Sequence, residues 1–497
     1  MRAPKGLVGL VASGSFALAG CMVGPDYVGP PVVAPLAENG GSFVRQEALV
    51  ASAAVPSEDW WTKLHDADLT RLIASAYADS PTLGAAEARI RQARASLAQN
   101  NAQLFPSASF NGAALKNQIG TEDLGSSLPL AGAANAGTAI PGHINFPLYD
   151  SSFDATWEID FFGGTRRRVE QASAQAQAAV DRLADAQVQL AAEVGQAYVN
   201  LRDAQNRLAL QKHSVQIEQE TLALTRQRSS QGADSDVAVA RLTTQLTTTE
   251  SQIPAIQAEI DQALNRLAIL IGEEPGAIDA RLKKLRPVPL PPRLVPISSP
   301  ADLLRRRPDI RAAERALAAS NAMIGQSVAR LFPRVTLLGN VGYLATSERV
   351  FGTPASFVYN VGPSLQWNIL DFGRTIAQIH GSEAGFDESV ANYRQAVLSA
   401  LNDAETALSR FGHQRQTVVK LLEASASAEH AADLTRDRNK AGTVSLIDSL
   451  DVERQRLQTE QSLAQAQAQL TNDYISLQKA LGLGWAERPP QPEIAQQ

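Results

Sequence analysis

The chain has 497 residues, 44% of them hydrophobic but only 5% aromatic, and a net charge of −6. The acidic balance argues against a nucleic-acid partner, the scarcity of aromatics suits long helices better than a thick globular core, and the single cysteine excludes an intrachain disulfide. Past the amino-terminal segment no uninterrupted apolar run of about 18 residues occurs, so no transmembrane helix is available and any membrane crossing must use strands.

Residues 1–20 carry Arg2 and Lys5, then an apolar stretch to Ala17, and end in Leu18-Ala19-Gly20, the pattern of a secretory signal peptide. The lone thiol, Cys21, stands where the signal ends, so a covalent lipid on Cys21 is expected, and no other cofactor; an ordinary signal with an incidental cysteine is the alternative. At about 0.8 kcal/mol per buried methylene, several acyl chains hold a protein at a membrane essentially permanently. Leu18-Ala19-Gly20-Cys21 resembles the bacterial lipobox, and Met22 in place of an aspartate after the cysteine then implies the outer membrane.

Further along, the chain reads as one unit written twice. Pro81, Glu87 and Leu104-Phe105-Pro106 recur as Pro308, Glu314 and Leu331-Phe332-Pro333; Trp157, Phe162-Gly163, Gly232 and Gly272 recur as Trp367, Phe372-Gly373, Gly442 and Gly482. The two registers differ by one indel of about 17 residues, between Pro106 and Trp157. The expected organisation is a signal peptide (1–20), a lipidated amino-terminal segment and equatorial region (21–80), a first repeat (81–272), a proline-rich linker (273–307), a second repeat (308–482) and a tail (483–497).

Each repeat opens with a helix of about 23 residues, 81–103 and 308–330, that leads directly into a strand. Phe153, Ala155, Trp157, Ile159 and Phe161 alternate with Asp154, Thr156, Glu158 and Asp160; Val361, Pro363, Leu365, Trp367 and Ile369 alternate likewise with polar or small residues. Val335, Leu337, Gly339, Val341 and Tyr343 share one face of a partner strand, and residues 107–115 alternate more weakly. Four strands of about ten residues result, of the length and alternation of membrane barrel strands, with Trp157, Ile159, Trp367 and Ile369 toward lipid. A half-buried strand in an ordinary sandwich has the same pattern. Residues 116–145 and 344–357, between the strands, read as loops on the far side of the membrane.

From residue 164 to about 230 there is no proline and only Gly195 interrupts, so a helix of about 67 residues and about 100 Å is expected. Its apolar seam, from Val169 through Ala172, Ala176, Ala179 and Leu183, wants a neighbouring helix. Gly232 turns the chain, and residues 233–271 return over about 60 Å, which leaves about 40 Å for the 81–103 helix to fill by stacking end to end. Residues 375–441, Gly442 and residues 443–481 repeat this. Proline-rich segments 23–56, 287–300 and 488–497 are expected on the outside of the helical barrel, near the column junction, and not in a separate core. Because the smallest barrels have about eight strands, four cannot close one and the chain must oligomerise. A dimer supplies eight and a trimer twelve; a passage for solutes favours twelve.

Several stretches resemble the outer-membrane factor family of tripartite efflux systems, the TolC-like channels, and within it the NodT-like lipoprotein branch. They are Val23-Gly24-Pro25-Asp26-Tyr27 after Cys21, Trp60-Trp61, Arg306-Arg307-Pro308-Asp309-Ile310-Arg311, Asp371-Phe372-Gly373-Arg374, and residues 442–451. The resemblance covers essentially the whole mature chain. It implies an internally duplicated fold of mixed α and membrane β: a homotrimer with one twelve-stranded barrel, four strands per chain, continued by a long helical coiled-coil tunnel. It further implies an exit channel for drugs or other small solutes, with a periplasmic adaptor and an inner-membrane pump of the RND type as partners. Asp448 and Asp451 fall on the aspartate pair that lines the family's periplasmic gate, next to the tip turns at Gly232 and Gly442. The acidic position of the first copy is Ala238 here and a frequent tyrosine is Asn439, departures that concern the polar latch around the gate.

His65, His143, His213, His380, His413 and His430 are scattered and form no two-histidine helix motif, so no metal site is expected. No nucleophile elbow or phosphate-binding Gly-Lys-Ser loop occurs in the mature chain, which disfavours an enzyme. Arg166-Arg167-Arg168 opens the long helix, where cations oppose the dipole; it either meets lipid phosphates or is a solvated patch. The rival readings are the outer-membrane duct of a type I protein secretion system and a periplasmic coiled-coil adaptor, the latter disfavoured by the two alternating hairpins.

Overall fold

The structure, a computed structural model, describes residues 22–39, 41–45, 50–51, 57–120, 143–233 and 235–485. The expected signal peptide, Cys21, the middle of the first interstrand loop and residues 486–497 of the tail lie outside the described residues. In chain order the main elements are α1 (Ala67–Asp79), α2 (Pro81–Ala102), β1 (Ser107–Gly120), β2 (His143–Ile159), α3 (Gly164–Ser230), α4 (Asp236–Ser251), α5 (Ile253–Leu270), α6 (Pro300–Arg306), α7 (Pro308–Ala329), β3 (Arg334–Ala345), β4 (Phe357–Gln366), α8 (Arg374–Lys440) and α9 (Leu446–Ala480).

Proline and glycine punctuate the helices. Pro81 and Pro308 open α2 and α7, where the missing N–H is no loss and the fixed φ suits a first turn. Both α3 and α8 run 67 residues without a break. The expected single return over 233–271 is instead two helices, α4 and α5. Pro254, in the first turn of α5, has no N–H to continue α4, so the ladder stops at Gln252. The end-to-end stacking is present: a Cβ on Gly272, just past α5, would stand 2.4 Å from the carbonyl oxygen of Asp79, just before α2. At Gly482, just past α9, it would stand 2.7 Å from Cγ of Arg307, just before α7. Only a residue without a Cβ admits either approach.

The chain divides into two compact units. One comprises Met1–Gly29, Gln92–Ala176 and Ala316–Ser389 and holds a four-stranded antiparallel sheet in the order β1-β2-β3-β4. Facing residues form continuous rows. Phe110, Phe153, Val341 and Tyr359 make one, Ala108, Ala155, Gly339 and Val361 the next, and all are small or apolar. The opposite face carries Ser109, Asp154, Asn340 and Asn360, laced by bonds that Asp154 accepts from Asn111 and from Asn340 (2.5 Å). Tyr359 and Val361 are each 74% exposed, so nothing among the described residues covers this part of the apolar face. Since β1 and β4 end the order, each leaves one edge of backbone groups without a strand partner among the described residues.

Two strand expectations are corrected. β1 and β2 pair as far as Gly120 and His143, so the ladder reaches into the stretch 116–145 that composition marks as loop; backbone groups make the ladder and need no alternation of side chains. β4 ends at Gln366, opposite Arg334, so Trp367 and Ile369 lie beyond the strand. The alternation runs on past Gln366, but β3 starts only after Pro333, and nothing remains to pair.

The second unit comprises Pro30–Arg91, Gln177–Arg315 and Val390–Gln497 and is helical, with one main core. Several of the chain's few aromatics gather in it: Trp60 packs edge-on against Trp61 and Tyr474 (centroids 5.6 and 6.2 Å), and Phe411 lies 6.1 Å from Tyr474. Such pairs contribute about 0.5–1.5 kcal/mol each beyond their buried area. Val295 and Ile297, in the proline-rich linker, are buried in this core, so the linker has no separate core of its own among the described residues. They are apolar residues between prolines, and a short parallel pairing of Val50–Ala51 with Val295–Pro296 holds the segment.

Candidate functional site

Within the sheet unit, the residues that follow Cys21 are strapped to the start of α3. The Arg167 side chain, 1% exposed, donates to the carbonyls of Val23 and Gly24 (3.2 Å each), to Asp26 (2.7 Å) and to Glu170 (2.9 Å). The Val23 N–H donates to the Phe162 carbonyl (3.1 Å), and Asn321 Nδ2 to that of Pro25 (3.0 Å). Burial alone would lower the pKa of Arg167, but its bonds to Glu170 and Asp26 outweigh that and raise it. The neighbouring arginines serve elsewhere. Arg166 is held to Asp160 by a 2.8 Å backbone bond and its guanidinium, and Arg168 donates to Gln103. The run of three thus acts as three separate devices, and at least this much of it is not a free patch.

Of the four residues expected toward lipid, Trp157 lies within β2 and Ile159 ends it, while Trp367 and Ile369 follow β4. The two indoles make one matched contact: Trp157 Nε1 donates to the Leu104 carbonyl at 2.9 Å and Trp367 Nε1 to that of Leu331 at 3.0 Å. Each tryptophan therefore sits where a helix hands over to a strand, one end apolar and the other hydrogen-bonded, the character of an interfacial aromatic.

In the helical unit the tips are built alike. Gly232 (φ +73°) and Gly442 (φ +74°) end α3 and α8 in left-handed turns that return the next two N–H groups to carbonyls of the last turn: Gly232 to Ser229 and Ala233 to Arg228, Gly442 to Asn439 and Thr443 to Arg438, all at 2.9 Å. Ser235 and Ser445 then cap α4 and α9. Asp448 lies in that second cap: its N–H donates to Ser445 Oγ (3.1 Å), whose hydroxyl donates back to its carboxylate (2.6 Å). Asp451, 66% exposed, pairs with Arg454 at 2.7 Å. Asn439 bonds the Val444 carbonyl across the turn (3.0 Å) and so braces the tip from within. One helical turn on, Arg456 donates to Glu453 (2.7 Å) and holds that carboxyl below its usual pKa, while Arg436 of α8 reaches the same group at 3.6 Å.

The sequence description of the outer membrane efflux protein family matches residues 72–273 and 300–483. The chain belongs to this family. It is 30% identical over 482 residues to nodulation protein T of Rhizobium leguminosarum bv. trifolii, which covers 95% of this chain and 96% of that protein. It is 26% identical to the probable outer membrane lipoprotein SilC of Salmonella typhimurium, over 95% and 97% of the two chains. Among solved structures, the outer-membrane channel OprN shares 33% identity with a TM-score of 0.82, over 94% of this chain and 100% of that one. The outer membrane efflux family is a family of channels and not of enzymes, which agrees with a sequence that offers no catalytic constellation.

Family membership leaves open what each motif does, and the geometry answers for several. In Arg306-Arg307-Pro308-Asp309-Ile310-Arg311, Arg307 is 11% exposed and donates to the carbonyls of Ala480 (2.8 Å) and Ala400 (3.4 Å) and to both oxygens of Asp309 (2.7 and 3.0 Å). Arg311 pairs with Asp181 at 2.9 Å and lies over the Trp485 ring. Asp371 caps the start of α8, accepting from the N–H groups of Gly373 (3.1 Å) and Thr375 (2.9 Å). Nothing in the sequence singles out Arg202, and Arg167 stands there only as one of three successive arginines. Arg202, 1% exposed, takes the carbonyls of Leu282 (3.1 Å) and Lys284 (2.9 Å) and the Asp68 carboxylate (3.3 Å). A signal for Arg167 was present: three successive helical residues fan over about 200°, so on a helix packed along one side an inward arginine is expected.

Proposed function

We propose that three copies of this chain form the outer-membrane exit channel of a tripartite efflux pump. The single observation that carries the reading is the open four-stranded meander, whose apolar face is uncovered and whose two edges are unpaired among the described residues, on a chain of the outer membrane efflux family. An edge strand is stabilised by pairing, and three such sheets joined edge to edge give twelve strands and an interior wide enough for solutes. One family description matching two successive stretches supports an internal duplication, hence two hairpins per chain. The domain boundaries read from the sequence are kept, with Cys21 acylated, Trp157 and Trp367 at the membrane–water boundary, and a periplasmic adaptor and an RND-type inner-membrane pump as partners. SilC, named a probable lipoprotein, supports the acylated Cys21. The adaptor alternative leaves the sheet without a purpose. Purified protein in detergent is expected to have the mass of three chains and to open channels in planar bilayers; a stable, folded monomer without conductance would overturn the reading.

For the gate, we propose that Asp448 and Asp451, three residues apart on α9, place six carboxylates around the axis of the trimer. The cap at Ser445 supports a structural role for Asp448 beside this one. Asp448→Ala combined with Asp451→Ala is expected to lower cation selectivity and relieve block by divalent cations. If selectivity and block stay the same and only the melting temperature falls, the pair caps the helix and gates nothing.

A further inference from the structure

Within the sheet unit, where α7 ends and α3 and α8 begin, lies a cavity of about 400 Å³ whose walls come from three stretches of chain, 158–168, 326–334 and 366–378. Arg168 is on the first turns of α3, Arg330 follows α7, Arg334 opens β3 and Arg374 opens α8. Glu158 and Gln366, which also line it, belong to the polar rows of the sheet, in register with Thr336 and Arg334. Against four guanidinium groups the lining sets two carboxylates, those of Glu158 and Asp160. Both are already engaged, Glu158 with Arg334 at 3.6 Å and Asp160 with Arg166. Arg168 and Arg330 donate to the neutral amides of Gln103 and Gln378, the second at 3.0 Å. Asp371, the acid that acts on Arg374, spends both oxygens on Gly373 and Thr375.

Four exposed arginines on one continuous surface would be an ordinary solvated patch. Here they converge on one hollow from three stretches far apart in the chain, with positive charge in excess, and like charges so placed are stabilised by a bound anion. Guanidinium forks match the paired oxygens of carboxylates and phosphates, and a hollow of this volume holds such a group with part of its carrier. We propose that this cavity is an oxyanion-binding station on the polar face of the sheet, which takes the carboxylate or phosphate groups of solutes moving along that face. Its role in transport rests on the channel reading above; its binding does not.

The test uses the full-length protein in a neutral detergent, titrated calorimetrically with inorganic pyrophosphate. Arg330→Gln combined with Arg374→Gln is expected to weaken binding about tenfold or more, since charge-assisted bonds are lost, with oligomer mass and melting unchanged. No binding by the unaltered protein, or equal binding by both, overturns the proposal. In bilayers of zwitterionic lipid, pyrophosphate is expected to reduce the current of the unaltered channel and not that of the double variant. Binding without any effect on current would overturn the transit role, and binding to phosphatidylglycerol vesicles but not to pyrophosphate would assign the station to a lipid headgroup instead. Should no current appear at all, the channel reading fails while calorimetry still decides the site.

Discussion

Arg307→Met is expected to destabilise the helical unit by about 3–5 kcal/mol, the range measured when one partner is removed from a buried ion pair. The guanidinium ties the last turn of α9, through Ala480, and the body of α8, through Ala400, to the start of α7, and it reaches Asp309 and Asp403 (3.6 Å) as well. Bonds to Asp309 raise its pKa although burial works the other way, so it stays charged over any working pH. Methionine fills part of the volume but leaves the Ala480 carbonyl and a carboxylate without their donor. Arg307→Lys should recover only part of the loss, because an ammonium cannot span two carbonyls and a carboxylate as a planar fork does. Arg306→Ala, at an exposed neighbour in the same motif, should change stability by less than about 0.5 kcal/mol. Thermal unfolding at one scan rate compares the three. Equal melting of Arg307→Met and Arg306→Ala would show that the motif is not a structural clamp.

That clamp marks where the sequence was legible and where it was not. Helix lengths could be read closely because proline and glycine end helices by local chemistry: the absence of proline from 164 to 230 and Gly232 suffice for α3. The end-to-end stacking also followed, since it depends only on lengths and a rise per residue. Strand ends could not be read in the same way. Whether Trp367 and Ile369 belong to β4 is decided by where β3 begins, a partner far away in the chain, while their own alternation continues unbroken. Pro254 was in plain view, yet helical spacing resumes on both sides of Gln252, which masks a break of one residue. For the site, the cap at Ser445 and Asp448 is a local pattern, a serine followed three residues later by an acid at a helix start. The partners of Arg167, at Val23, Gly24 and Asp26, lie more than a hundred residues away and have no counterpart in local spacing.

Arg167→Ala is expected to free the strap and so to uncouple the proposed lipid anchor from the sheet. Met22, the residue after Cys21, packs so closely on the turn before α3 that a Cβ on Gly163 would lie 2.6 Å from its side chain. Removing Arg167 takes the donor from the half-buried Val23 carbonyl and from that of Gly24, a loss of about 0.5–1.5 kcal/mol for each bond, beyond the loss of the bond to Asp26. Because Asp26 is 79% exposed, Asp26→Asn should cost no more than about 1 kcal/mol. Gly24→Ala should act like Arg167→Ala from the other side of the contact, since its φ is +87° and its new Cβ would stand 2.5 Å from Cα of Gly325. In Arg167→Ala and Gly24→Ala, amide exchange at residues 23–27 should accelerate at least tenfold while that of the α3 interior is unchanged. If Cys21 is the acylated residue, the protein should still reach the membrane, but the lipid would no longer hold the sheet at a fixed height, and fewer trimers should form. Rapid exchange at 23–27 together with undiminished trimer yield would mean that the strap only tidies the surface and leaves assembly to the strands.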